Sequence, residues 1–229
     1  MKNPVRKFYA IALALAFLAM QTAASWAASM EERLTQSRAI DSLIWSLPLM
    51  SYKAMRDGYK VDGGVGFNEV GYNSQVQNWK LQITTPNNTT PYVLFFWDTK
   101  DGPVVIEIPP SADGVSLFGP LMDSWQRPLE DVGAKGKDGG RGGKYLVMPP
   151  TYRGPLPMNG YYPLRQKTYQ GYSLLRPIIA DASPENLAKA VALVKKIKIY
   201  PLAQADAPPA TKHIDVFDKN LNALPDYDG

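Results

Sequence analysis

The sequence predicts a mainly β protein with α-helical additions, one helix before the strands and one after most of them. Apolar residues recur at every second position from Val104 to Ile108, the period of a strand with one buried face. The segment from Tyr92 to Trp97 is apolar throughout, which is typical of a strand covered on both faces. The 229 residues include 20 Pro and 18 Gly. Many turns are therefore expected between short strands.

The first helix is predicted from Met30 to Leu47. Ser29 and Glu32 form a capping-box pattern, and apolar residues follow at helical spacing. Pro48 is expected to end or kink this helix, because proline lacks the N–H that would continue the hydrogen-bond ladder. A shorter helix is then expected over residues 49–56.

The β-rich region is predicted to start where apolar and polar residues alternate from Trp79 to Thr84. The sequence Asp-Thr-Lys-Asp-Gly at residues 98–102 is typical of a turn, so the strands on either side of it are expected to form a β-hairpin. Ser183 as a cap and an apolar face predict the second helix from Pro184 to about Lys196. Further strands are expected at Val115–Met122, Lys144–Met148, Leu164–Tyr169 and Ser173–Ile179.

The N-terminal segment has the pattern of a secretory signal peptide. Three basic residues precede an apolar run of 13 residues, Phe8 to Met20, and Ser25-Trp26-Ala27 offers small residues at a cleavage site. The alternative is an uncleaved membrane anchor, but 13 helical residues span only about 20 Å of a roughly 30 Å hydrocarbon core. We therefore predict a signal peptide over residues 1–27, a periplasmic or secreted protein, and no membrane span after cleavage.

Composition excludes several classes of function. Residues 1–27 hold three Lys or Arg and no acid, so cleavage would reduce the net charge from +4 to +1. A general nucleic-acid binder, which needs a large positive excess, is not indicated. The chain has no Cys and one His, His213, which excludes a Cys/His zinc site within it. Residues 218–229 resemble a calcium loop, but Ala223 and Gly229 stand where Gly and Glu are required. We predict no metal and no cofactor.

A glycine-rich basic stretch, "VGAKGKDGGRGGKYLVMPP" at residues 132–150, invites comparison with a phosphate-binding P-loop. Asp138 stands where the first Gly of that motif belongs, and Tyr145 where its hydroxyl residue belongs. A strand rather than a helix is expected to follow, so we reject nucleotide binding of this type. Two readings stay open: a solvated hairpin loop, and an anion-binding loop. Its candidate residues are Lys135, Lys137 and Arg141.

Paired carboxylates are the catalytic option that this composition leaves open. Two carboxylates held about 5 to 9 Å apart could act as acid and base on a sugar. Sequence spacing cannot show which acids converge. Asp123 lies beside Trp125 and Arg127, a set that could hold a polar ligand or form a structural ion pair. The four acids in or near predicted strands are Glu107, Asp123, Glu130 and Asp131.

Several segments, read in order, resemble one bacterial family, the domain-of-unknown-function family twelve fifty-four. They span about residues 39–202. The quoted segments are "AIDSLIWSLPLM", "TPNNTTPY", "DGPVVIEIPP", "LMDSWQRP", "GGKYLVMPPTYRG" and "LLRPIIADASPENLAKAVAL". The resemblance implies an immunoglobulin-like β-sandwich with helical additions. It also implies a C-terminal partner, the jelly-roll-like β domain twelve fourteen, which usually follows in this family.

The chain departs from the family pattern at two positions. Thr89 stands where the family signature Pro-Asn-any-Asp-Thr-any-Tyr has Asp, and Leu175 replaces a usual Gly before Arg176. A charge-based function of that Asp would therefore be lost here. The resemblance and the neighbouring motifs together give the ligand-binding candidates Asn87, Thr90, Tyr92, Asp123, Trp125 and Arg176.

The expected organisation has four parts: a signal peptide, a helical segment with a loop over 28–66, a β-sandwich domain over 67–202, and a linker. The linker, 203–229, resembles the start of a C-terminal domain that is missing from this sequence. We therefore predict an exported, non-catalytic binding or assembly module of a larger two-domain β protein. A C-terminal β domain in cis or in trans is the expected partner, and an oligomer is left open. The alternative function is a carboxylate-dependent hydrolase or lyase acting on a polar polymer such as a polysaccharide.

Overall fold

The computed structural model of the protein describes residues 29–225 apart from Thr84, Leu156 and Met158. The predicted signal peptide lies outside the described residues. The chain divides into two compact units, Met1–Leu47 and Pro48–Gly229.

The described part of the first unit is the beginning of helix α1 (Met30–Val61). The predicted capping box closes its N-terminus: the Ser29 N–H donates to Glu32 Oε2 at 2.6 Å, and the Glu32 N–H donates to Ser29 Oγ at 3.1 Å. Apolar side chains here, including Leu43 and Trp45, are exposed. Neither helix of the described residues combines the length and the apolar character needed to cross a bilayer.

Helix α1 continues through Pro48, so of the two predicted outcomes, an end or a kink, the end is wrong, and residues 49–56 belong to the same helix. Proline costs the helix one backbone hydrogen bond. Downstream of Pro48, the helix is held by the burial of Tyr52, Met55 and Tyr59 against the β-rich unit. Tertiary burial thus outweighs the local signal, as it often does in helices.

Twelve short strands follow among the described residues, with helix α2 (Pro184–Val194) and a 3-10 turn (Leu202–Gln204) between the later ones. Helix α2 starts at the predicted cap, where the Asn186 N–H donates to Ser183 Oγ at 3.4 Å. The strands are β1 (Val70–Tyr72), β2 (Leu81–Gln82), β3 (Val93–Asp98), β4 (Val104–Ile108), β5 (Ser116–Asp123), β6 (Pro128–Gly133), β7 (Gly143–Met148), β8 (Tyr162–Arg165), β9 (Gln170–Ile178), β10 (Lys198–Pro201), β11 (His213–Asp215) and β12 (Leu221–Asn222).

Two sheets form a β-sandwich, which confirms the predicted mainly β class with helical additions. One sheet has six strands in the order β11-β1-β3-β9-β5-β6, the other has four in the order β10-β4-β7-β8, and β12 pairs with β2 separately. Side chains alternate across β3: Phe95 and Trp97 belong to the core shared with the four-stranded sheet, whereas Leu94 and Phe96 pack with helix α1. The strand from Tyr92 is thus buried on both faces, as predicted.

The predicted hairpin across residues 98–102 is wrong. Strand β3 pairs with β1 and β9, whereas β4 pairs with β7 and β10 in the other sheet. The turn therefore carries the chain from one layer of the sandwich to the other. The alternating segment near Trp79 is also shorter than predicted over its described residues, of which Leu81 and Gln82 alone form a strand, and the Trp79 side chain is 77% exposed.

Candidate functional site

A basic cleft lies on the four-stranded sheet, with a volume of about 660 Å³. This volume is within the range of small-molecule sites. Five cationic side chains and one carboxylate line the cleft among the described residues. They are Arg141, Lys144, Lys195, Lys196, Lys198 and Glu107.

The centre of the cleft is set by strand register. Glu107 of β4 lies directly opposite Lys144 of β7 and Lys198 of β10, so the carboxylate sits between two lysines on neighbouring strands. Its oxygens lie 3.1 Å from Lys144 Nζ and 3.5 Å from Lys198 Nζ. The Tyr200 hydroxyl also donates to Glu107 Oε1 at 2.5 Å. The carboxylate is therefore neutralised within the protein.

Partial burial by itself would raise the pKa of Glu107, but the Tyr200 hydrogen bond and the Lys144 and Lys198 charges outweigh it and lower that pKa. The pKa of Lys144 is raised by its hydrogen bond and ion pair with Glu107. Both shifts favour the charged forms of Glu107 and Lys144, which therefore form an ion pair at neutral pH, and Lys198 adds a second cationic side chain beside the same carboxylate.

Three further cations add positive charge without a carboxylate partner. Lys195 is the C-cap of α2 and Lys196 follows it, so both project from the end of that helix; Arg141 comes from the loop before β7. The described residues supply no ion pair to these three side chains. The cleft therefore carries a net charge of +4 and favours anions.

The loop that brings Arg141 to the cleft is organised around Asp138, whose side chain is fully buried. Asp138 Oδ1 accepts the Gly133 N–H at 3.1 Å and the Gly140 N–H at 2.7 Å, and Oδ2 accepts the Tyr145 hydroxyl at 3.0 Å. Asp138, one of the two residues that break the P-loop pattern, is thus the structural centre of the loop.

The hairpin interpretation of this loop is wrong. It joins β6 of the six-stranded sheet to β7 of the four-stranded sheet, so it crosses between the two layers. Of the three anion-loop candidates, Arg141 lines the basic cleft, whereas Lys135 and Lys137 do not.

The signature segment forms a closed turn. Asn87 Oδ1 accepts the N–H groups of Thr89 and Thr90, each at 3.0 Å, and the hydroxyl of Thr89 at 2.9 Å. The N–H and the side-chain amide of Asn87 both donate to the Tyr92 hydroxyl, at 3.0 and 2.6 Å. Thr89 is exposed and keeps the turn intact in place of the usual Asp.

Tyr92 and Arg176 come together, as two of the ligand-binding candidates, beside a second and smaller cavity. The Arg176 guanidinium lies 5.3 Å from the centroid of the Tyr92 ring. The cavity, of about 220 Å³, lies on the face of the six-stranded sheet that α1 covers. We call it the signature cavity. Its lining includes Met55, Ile83, Thr85, Tyr92, Gln126, Tyr172, Leu174 and Arg176.

Asp123 and Trp125 do not line either cavity. Asp123 is 1% exposed and forms a two-point ion pair with Arg127, at 2.9 Å to Nε and 2.5 Å to the terminal nitrogen. It also accepts the Trp125 N–H at 2.9 Å. This geometry fixes the turn between β5 and β6.

The four candidate carboxylates do not converge. Glu107 belongs to the four-stranded sheet, Asp123 is paired with Arg127, and Glu130 and Asp131 lie on β6 at the edge of the six-stranded sheet. Only Glu107 lines the basic cleft. Among the described residues that line the basic cleft, Glu107 is thus the single carboxylate, whereas glycoside hydrolysis typically uses two.

Sequence reasoning missed the three lysines that complete the cleft, Lys195, Lys196 and Lys198. The signal was the segment Lys-Lys-Ile-Lys directly after helix α2, in which Ile197 is buried and the lysines are exposed. It also missed Gln126 in the signature cavity, because this residue lies in the turn after β5, far in sequence from Tyr92 and Arg176.

Residues 67–201 match a protein family described as a protein of unknown function, DUF1254. Among solved structures, the chain is similar to the crystal structure of the VPA0106 protein from Vibrio parahaemolyticus, with 17% identity and a TM-score of 0.55. That similarity covers 75% of this chain and 39% of the Vibrio protein. An uncharacterised protein from Burkholderia cenocepacia is similar over 68% of this chain and 49% of its own, with 11% identity and a TM-score of 0.31. No curated protein matches the chain.

The likeness to the Vibrio structure shows a shared fold. This chain spans well under two thirds of the length of either solved protein. The family match covers more than half of the 229 residues. The chain belongs to the DUF1254 family of proteins of unknown function.

Proposed function

We propose that this chain is a non-catalytic binding module that holds a polyanionic ligand in the basic cleft. The observation that carries the proposal is the excess of five cations over one carboxylate, with that carboxylate already neutralised by Lys144, Lys198 and Tyr200. Such a cleft attracts multiply charged anions, and its described lining residues supply no unpaired carboxylate. A hydrolase or lyase is disfavoured because the cleft offers one carboxylate where two are needed.

The same proposal places the module in an exported protein with a second domain. The basic and apolar leader supports export through a signal peptide. The Vibrio protein of the same fold is much longer than this chain, which supports a further domain, in cis or in trans; that this domain is a β domain rests on the family resemblance. In a periplasmic or secreted setting, anionic polysaccharides and phosphate-rich polymers are the corresponding ligand class.

Binding should depend on the three cations that have no acid partner. We expect the purified protein to bind tripolyphosphate, and the R141Q/K195Q/K196Q variant to bind it at least about tenfold more weakly, since each lost cation removes a favourable contact. Isothermal titration at low ionic strength measures both affinities. Affinity should also fall as salt is added, because exposed charges are screened.

The matched control removes two loop cations that lie outside the cleft, as K135Q/K137Q. This variant lowers the net charge by two, and its affinity for tripolyphosphate is expected to stay within about twofold of that of the wild type. Equal losses in the two variants would show that only overall charge matters and would contradict the cleft as a site. Absence of tripolyphosphate binding at low salt would also reject the proposal.

Removing the single carboxylate should have the opposite effect. Glu107→Gln frees Lys144 and Lys198 from their ion pairs, so we expect tripolyphosphate to bind several times more tightly. The same titration measures the change, and an unchanged affinity would show that the two lysines do not face the ligand.

Because its pKa is lowered, Glu107 stabilises the fold above about pH 4.5, and this contribution is lost as pH falls through its folded pKa.

A further inference from the structure

We propose that the signature cavity is a second binding site, for a small organic carboxylate with an apolar body. This inference goes beyond the anion-binding cleft. The cavity lies on the opposite layer of the sandwich, and its chemistry differs from that of the cleft.

The charge of Arg176 requires a partner. Arg176 is half-buried and lines the cavity, and among the described residues its guanidinium forms no hydrogen bond or ion pair and contacts the Tyr92 ring. A cation–π contact balances a guanidinium only in part. Arginines commonly bind a carboxylate through two parallel hydrogen bonds. A ligand carboxylate would therefore balance the charge of the Arg176 guanidinium.

The Tyr92 hydroxyl adds a directional donor. Tyr92 is 2% exposed, and its oxygen accepts two hydrogen bonds from Asn87. The hydroxyl hydrogen has no acceptor among the described residues, although buried donors are normally paired. A ligand oxygen held by Arg176 would supply that acceptor beside the Tyr92 ring.

The rest of the signature cavity is lined mainly by apolar side chains, which favour a ligand with an apolar body. Met55, Ile83 and Leu174 line the cavity with Tyr172. Tyr172 is fixed because its hydroxyl donates to Gln126 Oε1 at 3.2 Å, while Gln126 Nε2 donates to the Pro48 carbonyl at 2.7 Å. The preformed wall favours binding because little side-chain freedom is lost.

Size and backbone geometry support the same reading. A volume of 220 Å³ equals about seven water molecules, which suits a ligand of the size of benzoate. Two lining residues, Thr85 and Gln126, have positive φ angles of 50° and 58°. Such backbone conformations are unfavourable for residues with side chains and cluster at functional sites.

The test compares benzoate, butyrate and hexanoate with benzamide, butyramide and hexanamide, using titration calorimetry and ligand-detected NMR on the purified protein. We expect at least one carboxylate to bind at about millimolar concentration or below, and its amide at least tenfold more weakly. Arg176→Gln is expected to weaken carboxylate binding at least tenfold, and Arg176→Lys to a smaller extent because it keeps the charge but loses the planar fork.

The cleft variant R141Q/K195Q/K196Q serves as the matched control and is expected to keep its carboxylate affinity. Failure of tripolyphosphate binding with retained benzoate binding would thus reject the cleft and leave this inference standing. No binding by any of the three carboxylates, equal binding of acid and amide, or an unchanged affinity in a folded Arg176→Gln variant would each overturn it. A thermal unfolding curve for each variant shows that it is folded.

Discussion

Replacing Asp138 with alanine is expected to lower the free energy of unfolding by about 3 kcal/mol. The substitution removes one fully buried carboxylate and leaves three donors without an acceptor: the Gly133 N–H, the Gly140 N–H and the Tyr145 hydroxyl. Hydrogen bonds to a charged acceptor are stronger than neutral ones, and each buried donor left unpaired adds a desolvation cost. Urea unfolding followed by tryptophan fluorescence measures the loss.

Two further variants separate the hydrogen bonds from the charge. Asp138→Asn keeps an acceptor oxygen and should lose less stability than Asp138→Ala, and Tyr145→Phe removes only one of the three donors. Asp101→Ala, at an exposed turn residue, is the surface control and should stay within about 0.5 kcal/mol of the wild type. A loss below 1 kcal/mol for Asp138→Ala would show that the loop does not depend on the carboxylate.

The same variant tests how the loop serves the basic cleft. Arg141 follows Asp138 by three residues, and its N–H donates to the Asp138 carbonyl at 3.1 Å. If the loop loses its centre, Arg141 loses its position, so a folded Asp138→Ala protein should bind tripolyphosphate more weakly as well. A loss of both stability and tripolyphosphate affinity in this variant would show that Asp138 supports the fold and the basic cleft together.

Sequence patterns predicted individual elements well where burial imposes a clear period. The segment at Tyr92–Trp97 is buried on both faces, and helix α2 begins at its Ser183 cap, because these features depend on neighbours close in sequence. Strand pairing, in contrast, depends on segments that are far apart in sequence. Whether the turn after Asp98 makes a hairpin or crosses between sheets depends on which distant strands cover β3, and here these are β1 and β9.

The candidate sites show the same limit. Arg141 lies in the loop before β7, and Lys144 lies at the start of that strand. Lys195 and Lys196 follow α2, and Lys198 begins β10. No local sequence motif therefore contains all the residues of the cleft. Asp138 was a mismatch to a P-loop by sequence, whereas its burial gives it a structural role. Tyr92 and Arg176 were separate candidates 84 residues apart in the sequence, whereas their contact and the cavity beside them follow only from the packing of the strands and α1.

Replacing Gly171 with alanine is expected to cost about 3 kcal/mol or to prevent folding. Gly171 of β9 lies opposite Trp97 of β3 and opposite Asp123 of β5 in the centre of the six-stranded sheet. A Cβ here would lie 2.5 Å from the Met122 carbonyl oxygen and would overlap the Trp97 indole. The indole cannot move aside easily, because it is fully buried and its Nε1 donates to Gln166 Oε1 at 3.0 Å.

A double-mutant cycle identifies the indole as the obstacle. In a Trp97→Phe background the ring is smaller, so the added methyl group should cost at least about 1 kcal/mol less than in the wild type. Relief should be partial, because the Met122 carbonyl belongs to the backbone and stays in place. Equal costs in both backgrounds would assign the strain to the carbonyl alone. Arg165→Ala, at an exposed strand position, controls for the effect of a substitution to alanine in the neighbouring sheet.

The cycle also bears on the signature cavity. Strand β9 continues from Gly171 to Tyr172, Leu174 and Arg176, which line that cavity on the other face of the sheet. If Gly171→Ala folds by shifting β9 away from Trp97, these side chains move with it, and benzoate affinity should fall in proportion. Retained affinity in a destabilised Gly171→Ala protein would instead show that the strain is absorbed by β3 and the sandwich core. The close packing of Trp97 on Gly171 would then set the stability of the sheet without setting the geometry of the site.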